Sequence, residues 1–202
     1  MHRLEKIIKP FEGLIKKRTK DQNNNKLKQG CYLYELEADA TIPSEYILLM
    51  HFIGEINVNL EIKIQKYIFS KQNSDGGWPL FFDGESDISA SVKAYYALKL
   101  SGLEKNHESL VKAKTFILKN GGAENVNVFT RISLALFGQI SWNSIPYMPA
   151  EIINFPRWFP FNIYKISYWS RTVLIPLLVI MNKKPIANNP NNISIKELFI
   201  NF

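Results

Sequence analysis

The chain has 202 residues, 46% of them hydrophobic, which is enough apolar material for one core and too little for two. Its single cysteine, Cys31, excludes an intramolecular disulfide and a cysteine-built metal site. The net charge of +7 is concentrated at one end, because residues 1 to 28 hold nine Lys/Arg against three Asp/Glu and leave only +1 for everything after them.

That distribution divides the chain into a basic arm, residues 1–29, and a domain, residues 30–202. The arm lacks the interleaved aromatics of a nucleic-acid-binding segment, so no nucleic-acid partner is expected; it reads as a solvated segment, with attraction to an anionic membrane surface as the alternative. The start, MHRLEKIIKP, has no apolar run of signal-peptide length. The longest charge-free apolar stretch, Thr172 to Met181, is about half the ~20 residues of a spanning helix. The expectation is a cytoplasmic chain that does not cross a membrane.

The first helical pattern runs from about Pro43 to Gly54, with Thr41 or Ser44 as its cap and Ile47, Leu48, Met50 and Phe52 as a dense apolar run. A second carries Leu60, Ile64, Tyr67 and Ile68 and ends near Lys71, where Asn73 to Gly77 break the periodicity. Asp87 caps a third. On it Ile88, Val92, Tyr95 and Tyr96 share one face, while Ala90, Ala94 and Ala97 form a second face that admits a close neighbour. Leu110, Ala113 and Ile117 mark a fourth helix stopped by Gly121 and Gly122; Phe129, Ile132 and Leu136 mark a fifth stopped by Gly138. Arg131, in that fifth helix, is expected to pair with a carboxylate such as Glu124. A Pro- and aromatic-rich connection from Trp142 to Tyr164 reads as a packed loop with one short helix near Pro149. The last helix, from about Ser167 to Asn182, is apolar almost all round and contains Pro176. Strand signals are absent.

A shift of 46 residues lays Lys28–Tyr32 over Ser74–Trp78, within the segment Lys71–Trp78, and the cap Thr41 over the cap Asp87. Each unit is a loop followed by a helix. Helical units at a period in the forties stack because no single pair can bury its own apolar face. The predicted fold class is therefore all-α, an incomplete α/α barrel, or toroid, of stacked helix pairs.

Within KQNSDGGWPLF, Gln72 can bond free backbone groups at a helix end, Gly76 and Gly77 permit the turn, and the Trp78 ring can stack on the Gln72 amide. This segment resembles the Gln…Gly-x-Trp structural repeat of triterpene cyclases. ELEADATIPSEYILL, DISASVKAYYALKLSG, VNVFTRISLALFG and the stretch from Met148 to Ile180 resemble, in order, bacterial squalene–hopene cyclases. An earlier copy of the repeat is eroded, with Tyr32 where tryptophan would stand.

The resemblance implies a squalene-like apolar substrate and a cavity between two α/α barrels. In the family an acid of an Asp-x-Asp-Asp motif protonates the substrate, and aromatic faces then stabilise the cations. The last aspartate here is Asp87 and no Asp-x-Asp-Asp is present, so no catalytic residue is assigned and the chain alone is expected to be inactive. Glu45 matches a carboxylate at the polar end of the family's cavity, and Phe129 and Trp169 match aromatics that line it. Read without the family, Glu45 is a helix first-turn charge and the two aromatics are core. No cofactor or metal is implied, since His2, His51 and His107 are scattered and no acidic diphosphate-binding cluster occurs. Two functional readings remain open: an N-terminal segment completed by a separate chain bearing the C-terminal barrel, and a non-catalytic gene remnant or apolar-ligand-binding module.

Overall fold

The computed structural model describes residues 37–189 and 191–200. The basic arm, Cys31 and the eroded repeat at Tyr32 lie outside the described residues. The chain divides into two units, of which the second, Ala38–Phe202, carries the described helices.

Six α-helices make up its framework: α1 (Thr41–Ile53), α2 (Val58–Ser70), α3 (Ile88–Leu100), α4 (Glu108–Lys119), α5 (Val128–Leu136) and α6 (Tyr168–Lys183). Each begins where a polar side chain meets the free N–H groups of a first turn. Asn57 Oδ1 accepts from Leu60 N at 3.1 Å, Asp87 Oδ1 from Ala90 N at 2.8 Å and Asn127 Oδ1 from Thr130 N at 2.9 Å. At α1 the cap differs from the sequence expectation. Ala40 occupies the cap position, and the carboxylate of Asp39 accepts from Thr41 N and Ile42 N, while Ser44 lies inside the helix and donates to Ala40 O at 2.6 Å. An acidic side chain one residue upstream reaches the same donors, so the hydroxyls are not needed.

The core is organised around α3. Every residue from Ser89 to Leu100 is buried, including Lys93 and Lys99. α1, α4 and α5 all pack on this helix, as does a two-residue antiparallel ladder in which Trp78 of β1 (Trp78–Pro79) faces Asp87 of β2 (Ser86–Asp87). That ladder is the one departure from a purely helical reading among the described residues, and it is too short to carry a period-two signal. The all-α architecture stands.

The Trp142–Tyr164 connection holds three short 3₁₀ turns, Trp142–Ser144, Ala150–Asn154 and Ile163–Lys165, in place of the single short helix expected. α6 runs on through Pro176 and ends at Lys184, which adopts the left-handed conformation at φ 46°. It buries only Leu178 and Met181, so an apolar composition all round has not produced burial all round. A final segment folds back over α3. Ile195 and Leu198 are buried there, Tyr95 donates to Glu197 at 2.9 Å, and Lys99 Nζ donates to both Glu197 and Ser194 O.

Candidate apolar-cavity site

The scaffold of the site begins with the segment Gln72–Asp87. Gln72 Nε2 donates to Gly76 O at 2.8 Å and to Ser109 O at 3.0 Å, and Ser109 Oγ donates back to Gln72 Oε1, so one amide ties the turn to the start of α4. Trp78 is completely buried. Its indole donates to Ile68 O at 2.7 Å, a carbonyl in the last turn of α2 that also accepts from Lys71 N, and its backbone N–H donates to Ser91 Oγ on α3 at 2.9 Å. The glycines are needed sterically. A Cβ on Gly77 would stand 2.5 Å from Ser86 Cβ, and one on Gly76, already at φ +92°, would stand 2.5 Å from Lys112 O. Gln72, Gly77 and Trp78 thus hold α2, α3 and α4 together.

On this framework α1, α5 and α6 line an apolar pocket of about 410 Å³ that is open on one side. Leu48, Leu49 and Phe52 line it from α1, Phe129 and Leu136 from α5, and Leu177 and Ile180 from α6. The pocket's one carboxylate among the described residues is Glu45, one turn before Leu49 on α1. Phe137 also contributes, its ring meeting Phe52 edge-on at 6.2 Å and Tyr96 at 5.4 Å. A larger hollow of about 750 Å³ lies elsewhere, among Arg131, Gln139, Trp142 and Lys184. Its mixed polar lining does not suit a hydrocarbon guest, whereas a nearly continuous apolar wall does.

Glu45 accepts a hydrogen bond from Lys93 Nζ. The lysine side chain is only 8% exposed and the glutamate 49% exposed. A buried ammonium without a counter-charge is costly, so the carboxylate at the pocket's rim also stabilises the core helix α3. Sequence reasoning singled out Glu45 and missed Lys93. The signal was present: Lys93 and Lys99 interrupt a helix otherwise built of small, aromatic and aliphatic residues.

Glu197, Tyr95 and Lys99 form a second polar cluster, likewise missed. Burial acts to raise the Glu197 carboxyl, but hydrogen bonds from Lys99, its own backbone and Tyr95, with the Lys99 charge, hold it below its ordinary value. Burial, together with the neighbouring Glu197 charge, pushes the Tyr95 hydroxyl well above its ordinary value; burial does the same for Tyr96.

Of the three residues singled out for the cavity, Glu45 and Phe129 share the pocket and Trp169 stands outside its lining. Trp169 lies eight residues before Leu177 on α6, 79% exposed, with Tyr168 edge-on at 6.0 Å. Arg131 meets Glu124 through the backbone, donating to Glu124 O at 2.7 Å.

With this geometry in place, comparison with known proteins is specific. The family model for the squalene-hopene cyclase N-terminal domain matches residues 15–201. The squalene–hopene cyclase of Zymomonas mobilis is 48% identical over 190 residues, covering 94% of this chain and 29% of that protein. A probable squalene–hopene cyclase of Sinorhizobium fredii is 52% identical over 172 residues, covering 85% and 27%, and the squalene–hopene cyclase of Alicyclobacillus acidocaldarius is 33% identical over 171 residues with 85% and 27% covered. The chain therefore spans less than a third of the length of these curated relatives. It belongs to the squalene–hopene cyclase family and corresponds to that family's N-terminal domain.

Proposed function

We propose that this chain supplies part of the wall of an apolar substrate cavity in a triterpene cyclase acting on squalene or a squalene-like polyene. The observation that carries the reading is the meeting, in one pocket, of an apolar and aromatic wall with a single carboxylate at its rim. Cyclisation of a polyene proceeds through carbocations, which aromatic faces stabilise by cation–π attraction and which a dry cavity protects from premature capture by water. Phe129 supplies such a face in the pocket, and Trp169 supplies another at the N-terminal end of α6. Glu45, fixed by Lys93, marks the polar end, where the last cation gives up a proton or meets water. Gln72, Gly77 and Trp78 are the structural repeat that keeps the wall rigid.

Protonating an alkene requires a strong, positioned acid. Because the sequence contains no Asp-x-Asp-Asp motif, that acid is assigned to a polypeptide carrying the C-terminal barrel, and the isolated chain is inactive in this reading. The proposed location is the cytoplasmic face of a membrane, held peripherally. No helix among the described residues is long and apolar enough to cross a membrane, and each well-placed cation of residues 1 to 28 would add about 1 kcal/mol of attraction to anionic lipid.

The test pairs catalysis with binding. Squalene incubated with the purified chain should return unchanged, while squalene should displace an apolar fluorophore from wild type and do so about tenfold less well from Phe129→Ser, the factor that corresponds to losing part of one buried aromatic contact. Hopene formed by the chain alone would overturn the inactivity; absence of displacement would overturn the cavity. A non-catalytic apolar-ligand module predicts displacement with no product even after a C-terminal barrel is supplied. A gene remnant predicts neither.

A further inference from the structure

The hollow of about 750 Å³ beside Arg131 shares no lining residue with the apolar pocket, and its size falls within the ~300–1,000 Å³ of small-molecule sites. Its walls are tied together by the protein itself. At the end of α5 the chain turns at Gly138, φ +66°, and the carbonyls of that turn all have donors: Leu134 O takes Gln139 N at 2.9 Å, Ala135 O takes Gly138 N at 3.0 Å, and Leu136 O takes Ala187 N at 2.7 Å. The last of these bonds draws the segment after α6 alongside. Gln139 is buried and spends its amide on the walls, its Oε1 accepting from Ile195 N at 3.0 Å and its Nε2 donating to Phe137 O at 3.1 Å and Ile193 O at 3.2 Å. Glu124 Oε1 accepts from Ile200 N at 2.7 Å on a further side. A cavity braced in this way loses little freedom when it is filled.

The polar capacity left over inside is that of a donor. The lining carries three cations, Arg131, Lys184 and Lys196, against one carboxylate, Glu124. Arg131 spends an N–H at Nη2 on Glu124 O, and its other guanidinium N–H groups have no partner among the described residues. Lys184, fixed by the left-handed backbone that ends α6, has no ion-pair or hydrogen-bond partner for its ammonium among the described residues. Trp142 Nε1 is buried with no acceptor among the described residues, a costly state for an N–H that an oxyanion would relieve. The rest of the wall is apolar, from Ala135, Ile140, Phe199 and the Trp142 ring, with Ile186 at the mouth, 66% exposed. We infer that this cavity binds an anionic amphiphile, a hydrocarbon body ending in a small oxyanion, either carboxylate or phosphate. Its head is held by the Arg131 guanidinium, whose planar fork suits both anions, with Lys184 and the Trp142 indole; its body lies on the apolar wall. The inference is independent of the cyclase reading, which concerns the other pocket.

The experiment is isothermal titration calorimetry of the full chain with decanoate, decyl phosphate, decanol and inorganic phosphate, each below its aggregation concentration. Decanoate or decyl phosphate should bind at equal stoichiometry, with decanol and inorganic phosphate each weaker by about tenfold or more, the factor for losing a charge-assisted hydrogen bond or the apolar contact. The two anionic arms identify the head group that the site prefers, and stoichiometric binding of either supports the inference. Arg131→Gln/Lys184→Gln should weaken the anionic probes by about tenfold or more and leave decanol unchanged. Because Arg131 also holds Glu124 O, Ile186→Glu is the second variant. It places a carboxylate at the mouth through an exposed side chain, so helical circular dichroism should stay that of wild type while anion binding is lost. Lys119→Gln, exposed at the end of α4, should change nothing. The inference is overturned if neither anionic probe binds, if decanol or inorganic phosphate binds as tightly as they do, or if Ile186→Glu binds like wild type. Binding weakened by Phe129→Ser and not by the Arg131 and Lys184 changes would place the probe in the apolar pocket and also overturns it.

Discussion

The segments Gln72–Asp87 and 155–173 both join helices, and both combine aromatic residues with turn-forming ones, yet they end in opposite states. In the first, Trp78 is buried, its indole N–H is bonded, and two glycines leave no room even for a methyl group. In the second, Trp158 and Trp169 stand in solvent. The difference lies in what each segment has to satisfy. The first lies between the C-terminal end of α2 and the N-terminal end of α4, and Trp78 and Gln72 tie the turn to both through hydrogen bonds to Ile68 O and Ser109 O. The second satisfies its backbone through Asn162 and leaves its aromatic rings unclaimed. An aromatic residue is part of this core when its ring has neighbours in the domain, as those of Trp78 and Tyr96 do; composition alone does not decide it.

The comparison is broken most severely at Trp78. Trp78→Ala removes a fully buried ring and its hydrogen bond to Ile68 O, and it should cost about 3–5 kcal/mol in a chemical denaturation series read by circular dichroism. An unchanged midpoint would mean that the ring does not hold α2 to α3. Gly76→Ala should follow at roughly 2–3 kcal/mol, because a left-handed residue gains a Cβ facing a backbone carbonyl that cannot move independently of α4.

The ion pair at the pocket rim gives an asymmetric pair of predictions. Glu45→Gln leaves the buried Lys93 ammonium with a weaker partner and should cost about 1–2 kcal/mol, a value reduced because Glu45 is half exposed. Lys93→Met removes the buried charge and leaves a carboxylate that can turn to water, so it should cost less than about 1 kcal/mol or stabilise. Equal costs for the two variants would show that the pair behaves as a surface bridge and that the burial of Lys93 is of no consequence.

The cluster that straps residues 194–198 over α3 should make stability depend on pH at both ends. Glu197 is held below its ordinary value, so its contribution is present above the unfolded carboxylate value of about 4.3 and is lost as pH falls through the lower folded value. Tyr95 and Tyr96 are pushed above theirs, so their contribution is intact below about pH 10 and is lost as pH rises from there through the higher folded values. Denaturation midpoints of wild type and Glu197→Gln, compared between pH 7 and 3, should converge at the acid end. A constant gap across that range would remove Glu197 from the acid transition.

Much of this was legible in the sequence because it depends on local chemistry. Asp87 and Ser167 are polar residues placed just before apolar periodic runs, and Leu110, Ala113 and Ile117 are buried as their spacing requires. The turn at Gly76 and Gly77 was also readable, since a glycine pair after a helix end announces one; the partners of Gln72 and Trp78, Ser109 O and Ile68 O, were not. What was not legible depended on long-range neighbours. Lys93 meets Glu45 across 48 residues and Lys99 meets Glu197 across 98, and no periodicity reports such meetings. Phe129 and Trp169 were singled out together by resemblance; only Phe129 is placed by its helix beside Glu45, because α5 packs on the core helix while the N-terminal half of α6 stands clear.

The smallest expected effect is therefore the most discriminating. Trp169→Ser removes a ring that is 79% exposed, so the isolated chain should change by no more than about 0.5 kcal/mol, the range of surface substitutions away from special contacts. The same serine placed at Phe129 should cost more, though modestly, because that ring is half exposed and touches the pocket wall. If exposure simply reflected a poorly packed end of the domain, replacing Trp169 by a polar residue would raise solubility and have no further consequence. If the ring is held out toward the substrate cavity of the complete cyclase fold, the substitution should leave the melting midpoint unmoved and still lower squalene turnover when the remainder of a cyclase is supplied. Differential scanning fluorimetry and product analysis on the same preparations separate the two, and a midpoint lowered by several degrees would place Trp169 in the core, against the structure.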